Sequence, residues 1–521
     1  MAEISFNLIY NPWIPCELQD GTIKLLTIND VLFNANNIRQ ISSDKPLTII
    51  SIYRFLLAIL HRNFGPKNRN EWQKIYKSGK FDEEILNSYF KKWSHKFELF
   101  NEPENRFYQI YDANITKKTP ISKLYHAIST GNNPSLFNHS WDSQITALKI
   151  EEVAQLLLTF QNYAVGGGVS RPFNFSHAPL FSGLIIFLRG DNLFDSLMLN
   201  FIRYDNKHPF QKNEESIDIP FWERDEKKLY ENKIGRYPNG YLDYLTWQSR
   251  RIWLLPFEEN RETLIKYVYL AQGEKIKSDW HYDPLKAYFI NDKNEIKPIK
   301  LLSDRQVWRE SESLLRITDV SGKKIPPKTI NWISFFVQRG IVPISKQYSL
   351  EIYGICNDPK KAAKIINWDK SYIPLSLKFL EDPTLVDNVR EFLEKSKKAE
   401  SILNKTLFLL VKAYLFSQES NLSPIQKNKV SDFIQNYQIS IRYWNQLENY
   451  FYQFMDEIAK ESDFIKRQEI IKYWVNDKIV KLAINLLNII KQTIGKNPRG
   501  LKSFIQIKGY FFKNIQDLKQ I

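Results

Sequence analysis

The C-terminal part of the chain consists almost entirely of long amphipathic stretches. Apolar residues recur there at three- and four-residue spacing, as in Val475, Ile479 and Leu482. This spacing places them on one face of an α-helix. Short polar breaks, such as Asn497-Pro498, separate one stretch from the next. The pattern predicts an antiparallel four-helix bundle over residues 374–521.

The preceding part of the chain has a different character. Short apolar runs bounded by turn residues, such as residues 184–188, are typical of strands. Residues 47–60 are strongly apolar and predict a buried helix. We therefore predict an α+β fold class, with a large mixed α/β N-terminal domain over residues 1–373 followed by the bundle.

Three adjacent glycines, Gly166, Gly167 and Gly168, interrupt this mixed region. Glycine loses more conformational freedom on folding than any other residue, so a run of three needs a reason. The residues leave two explanations open, which are close approach of the backbone to a ligand and a tight structural turn. No Gly-Lys-Ser/Thr follows, so the run is not a nucleotide-binding P-loop.

The chain has an excess of basic residues. Lysine and arginine number 73 against 58 acidic residues, a formal net charge of +15. Such an excess favours a polyanionic partner, most often a nucleic acid, although solubility alone is the alternative. We find no signal peptide and no apolar run of membrane-spanning length, and we predict a soluble, cytoplasmic protein without a membrane partner.

Residue patterns for catalysis or metal binding are missing from the sequence. The chain has only Cys16 and Cys356, no His-Glu-x-x-His and no Gly-x-Ser-x-Gly. We expect no disulfide, metal or other cofactor. Two function classes remain. One is a non-catalytic nucleic-acid recognition subunit, and the other is a nuclease with scattered carboxylates. The missing metal motif favours the first.

Several segments occur in the same order and spacing as in a known family. They are Pro12-Trp-Ile-Pro15, Leu136-Phe-Asn-His139, Gly166-Gly-Gly168, Tyr244-Leu-Thr-Trp-Gln-Ser249 and Tyr353-Gly-Ile-Cys-Asn-Asp358. Over nearly its whole length the chain resembles CasA, the large subunit of Cascade, the type I-E CRISPR surveillance complex.

The resemblance implies recognition of a protospacer-adjacent motif from the minor groove of double-stranded DNA. A glycine backbone can enter this narrow groove without side-chain clash. Gly166, Gly167 and Gly168 are therefore expected to contact the DNA motif. Lys275 resembles the family's minor-groove lysine by position, with Lys277 as the alternative.

The resemblance also implies a wedge that separates the first base pair and starts R-loop formation. It assigns this role to Asn357, Asp358, Pro359, Lys360 and Lys361, with Pro359 where the family usually has glutamine. From the residues alone, the alternative is an Asn-Asp-Pro turn that caps a helix over residues 360–367.

Partners of the chain follow from the same resemblance. Leu136, Phe137, Asn138 and His139 lie in a polar loop that is expected to contact the 5′ handle of the CRISPR RNA and the handle-binding subunit. Folding of this loop back onto its own aromatic residues is an equal alternative from the residues. The backbone subunit, the small subunits and a helicase-nuclease recruited to the R-loop complete the expected partners.

Overall fold

The computed structural model describes residues 4–100, 102–125, 147–213, 216–224, 229–316, 323–346, 348–358, 361–416 and 421–518. The chain divides into two compact units. The first comprises Met1–Val307 and Ile317–Leu375, and the second comprises Trp308–Arg316 and Ser376–Ile521. Among the predicted site residues, Leu136, Phe137, Asn138, His139, Pro359 and Lys360 lie outside the described residues.

The second unit contains a segment that the predicted division at residue 373 assigned to the N-terminal domain. This segment is Trp308–Arg316. The Trp308 ring lies 5.7 Å from the Trp444 ring and 4.7 Å from the Phe451 ring, so it belongs to the bundle core. Helical periodicity cannot reveal such a contribution, because three strands of the first unit separate this segment from the rest of the bundle in the chain.

The strands are β1 (Ile14–Leu18), β2 (Ile23–Leu26), β3 (Ile38–Ile41), β4 (Lys118–Pro120), β5 (Leu148–Lys149), β6 (Ile185–Arg189), β7 (Arg250–Glu259), β8 (Glu262–Gln272), β9 (Tyr288–Ile290), β10 (Ile296–Pro298), β11 (Lys324–Ile325), β12 (Tyr348–Asp358) and β13 (Lys361–Leu375). The α-helices are α1 (Ile28–Phe33), α2 (Pro46–Phe64), α3 (Arg69–Ser78), α4 (Glu83–Trp93), α5 (Ile150–Tyr163), α6 (Leu193–Leu199), α7 (Tyr241–Leu245), α8 (Ser311–Leu315), α9 (Lys328–Val337), α10 (Lys378–Glu381), α11 (Thr384–Leu415), α12 (Pro424–Gln435), α13 (Ile439–Lys460), α14 (Phe464–Tyr473), α15 (Lys481–Ile494) and α16 (Pro498–Gln516).

Helix α2 forms the centre of the first unit. Residues 47–61 are all buried, and the Tyr53 ring lies 4.3 Å from the Phe187 ring of β6. By length and composition this helix could cross a membrane, which the sequence pattern did not predict. A helix that is apolar on every side is also what the core of a large unit requires. Most of α2 is buried within the protein.

Two sheets of the first unit position the residues of interest. One is antiparallel with strand order β13-β12-β6. The other pairs β7 with β8 as a long hairpin, and β4 and β5 both pair with β8. Strand β12 pairs with β6 only over residues 349–353, with Tyr353 opposite Ile185. Residues 354–358 therefore continue beyond the N-terminal end of β6.

The segment after Asn357-Asp358 is a strand, so the alternative of a capped helix over residues 360–367 is wrong. Strand β13 begins at Lys361, which lies opposite Asp358, and pairs with β12 up to Leu375. Isoleucines and aromatic residues in β13 favour this conformation, and pairing with β12 stabilises it. The register shifts on both sides of Asn357, which makes the hairpin irregular near its tip.

The second unit is an antiparallel helical bundle around α11. Asn404 of α11 donates a hydrogen bond to Ser440 of α13 at 3.0 Å, and the Phe392 ring lies 4.6 Å from Phe454 near the other ends. At the C-terminal end of α11, Arg499 of α16 donates to the Leu415 carbonyl at 2.9 Å. The α+β fold class with a C-terminal helical bundle is thus confirmed.

A second long helix of the bundle runs without a break but changes its helix type. Helix α14 passes into a π-helical segment, Trp474–Val480, which continues directly as α15. Trp474 donates to a carboxylate oxygen of Glu457 in α13 at 2.7 Å. A π-helix accommodates one more residue per hydrogen-bonded turn than an α-helix.

We expect Phe392→Ala to lower the free energy of unfolding of the bundle by about 3–5 kcal/mol, because this fully buried ring stacks on Phe454. Phe464→Ala is the matched control. Its ring is 63% exposed, so a change within about 0.5 kcal/mol is expected. Urea unfolding followed by helical circular dichroism measures both, and equal losses would contradict this packing.

Candidate nucleic-acid interface

The three glycines lie in a loop between α5 and β6 whose two limbs pair with each other. Ala178 N–H donates to the Ala164 carbonyl at 2.9 Å, and Gly167 N–H donates to the Phe175 carbonyl at 2.8 Å. Residues 164–178, called here the glycine loop, therefore form a narrow hairpin-like projection. Residues 169–174 lie at its tip.

The glycines are required for different reasons. Gly166 is buried, and a Cβ atom there would lie only 2.7 Å from the backbone nitrogen of His177. Gly167 and Gly168 are exposed and have φ angles of 99° and 89°, which favour glycine. A Cβ atom on Gly168 would meet no atom within 4 Å. A structural explanation thus applies to all three glycines, and Gly167 and Gly168 in addition present bare backbone to solvent.

Two residues that we did not predict hold this loop on the β7–β8 hairpin. Arg250 at the start of β7 lies opposite Gln272 at the end of β8. The Arg250 guanidinium donates to the carbonyls of Val165 and Ser176, and the Gln272 side-chain oxygen accepts the Ser176 N–H at 2.8 Å. An arginine inside an apolar strand-like run was the signal available in the sequence.

The predicted lysines follow directly after β8, in residues 273–277, called here the lysine turn. Lys275 is half-buried, and its ammonium group donates to the Lys233 carbonyl at 3.1 Å. The ammonium nitrogen of Lys277 lies 4.4 Å from the centre of the Tyr237 ring. Within the described part of the chain, neither lysine has a carboxylate partner within 4 Å. Both can therefore reach an external anion by side-chain rotation.

Two buried acidic residues at the lysine turn, Asp243 and Glu274, are bound to arginines. Asp243 pairs with Arg224 and Arg236, and Arg236 also pairs with Glu274. Burial alone would raise the pKa of Asp243, but the charges of Arg224 and Arg236 outweigh it and lower the pKa. The Asp243 carboxylate therefore remains ionised. Its partner Arg236 exchanges backbone hydrogen bonds with Lys275 and Lys277 and so stabilises the backbone that carries the lysines.

The arrangement offers no obvious site for a metal. No group of three or more His, Cys, Asp or Glu side chains that could hold a metal ion occurs among the residues that the structure describes. Cys16 and Cys356 are free and buried. What the geometry provides is exposed backbone and unpaired cations, which suit a polyanion.

The hairpin of β12 and β13 extends past the N-terminal end of β6. Residues 179–184 connect the glycine loop to β6, and β12 runs antiparallel to β6, so residues 354–358 extend from the end of the sheet at which this connection enters. A Cβ atom on Gly354 would lie 2.8 Å from the Leu184 side chain, which directly precedes β6. The structure thus places Asn357, Asp358 and the start of β13 at Lys361 beyond the N-terminal end of β6, which is the end that follows the glycine loop in the chain.

A family model for the CRISPR-associated protein Cse1 matches residues 7–485. The chain belongs to the Cse1 family. The CasA/Cse1 protein of Thermus thermophilus is 23% identical over 521 residues, which cover 98% of each chain. The CasA resemblance seen in the sequence is therefore confirmed.

Solved Cse1 structures share the fold of this family member. Thermus thermophilus CasA superposes with a TM-score of 0.80 at 22% identity, covering 98% of this chain and 99% of that one. Cse1 from Acidimicrobium ferrooxidans gives 0.80 at 19% identity, covering 100% and 99%. A chain of a solved CRISPR RNA-guided surveillance complex gives 0.72 at 17% identity, covering 98% and 99%.

The stability of the glycine loop depends on the protonation state of His177. Its Nδ1 atom accepts the Gly166 N–H at 2.9 Å, which requires an unprotonated Nδ1. Desolvation, followed by the charges of Arg250 and Lys300, lowers the pKa of His177 to about 4. The ring also stacks on Phe181 at 4.0 Å.

We expect the glycine loop to lose stability as the pH falls from about 6.5 towards 4. In this window the unfolded histidine binds a proton and the folded one does not, so stability rises with pH. Amide hydrogen exchange at Gly166, corrected for its intrinsic rate, measures the effect. In His177→Gln a non-titrating oxygen can accept the same N–H, and the pH dependence should disappear. The same pH dependence in both proteins would exclude His177 as its source.

Proposed function

We propose that this Cse1-family chain is the non-catalytic large subunit of a CRISPR RNA-guided surveillance complex and recognises the protospacer-adjacent motif in double-stranded DNA. The observation that carries the proposal is the exposed backbone of Gly167 and Gly168 on the same end of the β7–β8 hairpin as the unpaired lysines of the lysine turn. The fold shared with a chain of a solved surveillance complex supports it.

The geometry suits the minor groove. This groove is only about 6 Å wide, so a side chain on the inserted segment would clash where bare glycine backbone does not. Lys275 can leave the Lys233 carbonyl and donate to acceptors on the groove floor or to a phosphate. Lys277, which rests on Tyr237, is the alternative donor. Exposed Arg171 at the loop tip adds positive charge towards the DNA backbone.

Strand opening is assigned to the tip of the β12–β13 hairpin. Its residues Asn357, Asp358, Pro359, Lys360 and Lys361 would enter below the recognised motif and separate the first base pair. Unstacking a base step costs a few kcal/mol, which contacts of the inserted tip would offset. The hairpin is supported by pairing of β12 with β6, so the tip stands on a fixed sheet. Guide pairing and R-loop formation follow from the opened pair.

The remaining partners are assigned by family membership. Leu136, Phe137, Asn138 and His139 would contact the 5′ handle of the CRISPR RNA and the handle-binding subunit. The helical bundle would contact the small subunits, beside the backbone subunit, and the assembled complex would recruit the helicase-nuclease in the cytoplasm. The positive net charge of +15 agrees with a partner set rich in nucleic acid.

Gly167→Asp should abolish binding of motif-bearing duplex, because it adds both bulk and negative charge at the inserted backbone. Gly21→Asp is the matched control, since Gly21 is also exposed, has a φ of 84° and lies in open space. Lys275→Ala should weaken binding by about 1–3 kcal/mol and relax sequence preference if it reads a base. Fluorescence anisotropy of the assembled complex with motif and scrambled duplexes measures these effects. Unchanged binding by both site variants would exclude this interface.

Replacing residues 357–361 with a short Gly/Ser turn should spare binding of the motif duplex and slow R-loop formation. A target whose first base pairs are already melted should restore the rate, because the wedge is then unnecessary. Replacing the Asn260-Arg261 turn between β7 and β8 is the control, because that tip lies at the opposite end of the hairpin from Arg250 and Gln272. If the melted target gives no rescue, the hairpin tip does not separate strands.

A further inference from the structure

Arg250 is a buried cation without an acidic partner. Its side chain is among the largest that are fully buried, at 1% exposure. It donates to the Ser249 carbonyl at 2.8 Å and to the Gln272 side-chain oxygen at 3.2 Å, both uncharged groups. In the described ranges of the chain no carboxylate lies within 4 Å of it. Burying an unpaired charge is unfavourable unless hydrogen bonds compensate it.

The compensating hydrogen bonds come from the glycine loop. One terminal nitrogen of Arg250 donates to the Val165 carbonyl at 2.9 Å and to the Ser176 carbonyl at 2.7 Å. Val165 directly precedes the glycines on one limb, and Ser176 lies on the returning limb. The Phe175 ring lies 5.0 Å from the guanidinium carbon. A single side chain therefore fixes the separation of the two limbs at the base of the loop.

The backbone of Arg250 is itself held from the opposite side. Gln161 of α5 donates to the Arg250 carbonyl at 2.9 Å and accepts the Arg250 N–H at 2.9 Å. The guanidinium thus extends from a fixed point. Its planar fork directs one terminal nitrogen at the two loop carbonyls while the other binds the Ser249 carbonyl and the Gln272 side-chain oxygen. A lysine at the same place would provide the charge without the planar fork.

Arg251, the next residue, has a different environment. It pairs with Asp112 at 2.5 Å and with Glu231, so carboxylates neutralise its charge. Successive strand residues point to opposite faces, so Arg251 faces away from the loop. Arg251 is therefore a suitable control, because it lies next to Arg250 in the same strand but binds carboxylates outside the glycine loop.

We propose that Arg250 is the positioning residue of the glycine loop. By spacing Val165 and Ser176, it sets the conformation in which Gly167 and Gly168 are presented to DNA. The predicted effect of Arg250 on DNA binding rests on the proposed function, whereas its predicted effect on the conformation of the loop does not. It predicts that motif selectivity depends on the guanidinium fork of a residue that does not touch DNA.

The test uses the full chain assembled in its complex and a pool of duplexes with a short randomised window. Arg250→Met should reduce enrichment of the selected motif about tenfold or more, as expected for loss of charge-assisted hydrogen bonds. Amide exchange at Gly167, whose N–H donates to Phe175, should become faster. Arg250→Lys should rescue only part of both effects. Arg251→Met should leave both unchanged even if it lowers the unfolding temperature.

The possible outcomes distinguish a failure of this inference from a failure of the proposed function. If the wild-type complex selects no sequence, the proposed motif recognition fails, and exchange at Gly167 still tests Arg250. If the wild type selects a motif and Arg250→Met selects it equally well, Arg250 does not position the loop for DNA. Full rescue by Arg250→Lys would show that charge, not the fork, is required. If Arg250→Met does not fold, motif enrichment and amide exchange at Gly167 are compared between Arg250→Lys and Arg251→Met, and this comparison tests the inference.

Discussion

The proposed interface depends on one buried arginine in the core of the first unit. Arg54 of α2 lies 3.7 Å from Asp283 and donates to the carbonyls of Tyr244 and Leu245 at the end of α7. A cation at these carbonyls satisfies helix-terminal acceptors that would otherwise be buried without partners. Because α7 ends just before Gln248, Ser249 and Arg250, the central helix fixes the starting point of β7. The glycine loop is thus connected to the core through a short series of hydrogen bonds.

The positively charged side chains of the first unit have two different roles. Some hold the fold in place, and others are able to bind a partner. The buried arginines Arg54, Arg236 and Arg250 are bound to carboxylates or carbonyls, as Arg236 is to Asp243 and Glu274. The lysines of the lysine turn instead interact with a carbonyl and an aromatic ring, which are weaker and easily exchanged partners. Arginine's planar fork suits fixed geometry, whereas lysine's flexible stem suits a group that must move to meet its partner.

Much of the fold could be predicted from the sequence, and so could the position of the candidate loop in the chain. Helical periodicity predicted the bundle, and the glycine run marked the loop. The residues that support the site could not be found in this way. Arg250 and Gln272 act through pairing across β7 and β8, and Trp308 joins the bundle from a distant part of the chain. The helix considered over residues 360–367 was wrong because pairing with β12 determines the conformation there, and local sequence does not show that pairing.

The π-helical segment Trp474–Val480 has a consequence for comparing bundles of different length. One residue inserted into an α-helix would rotate everything beyond it by about 100° and turn its apolar stripe away from the core. A local π-turn absorbs such an insertion, because the regular ladder resumes in phase after it. A relative with one residue fewer here can close the segment into plain α-helix and keep the same core. Length variation at this point is therefore neutral for packing, and alignments of the bundle should place their gap within these residues.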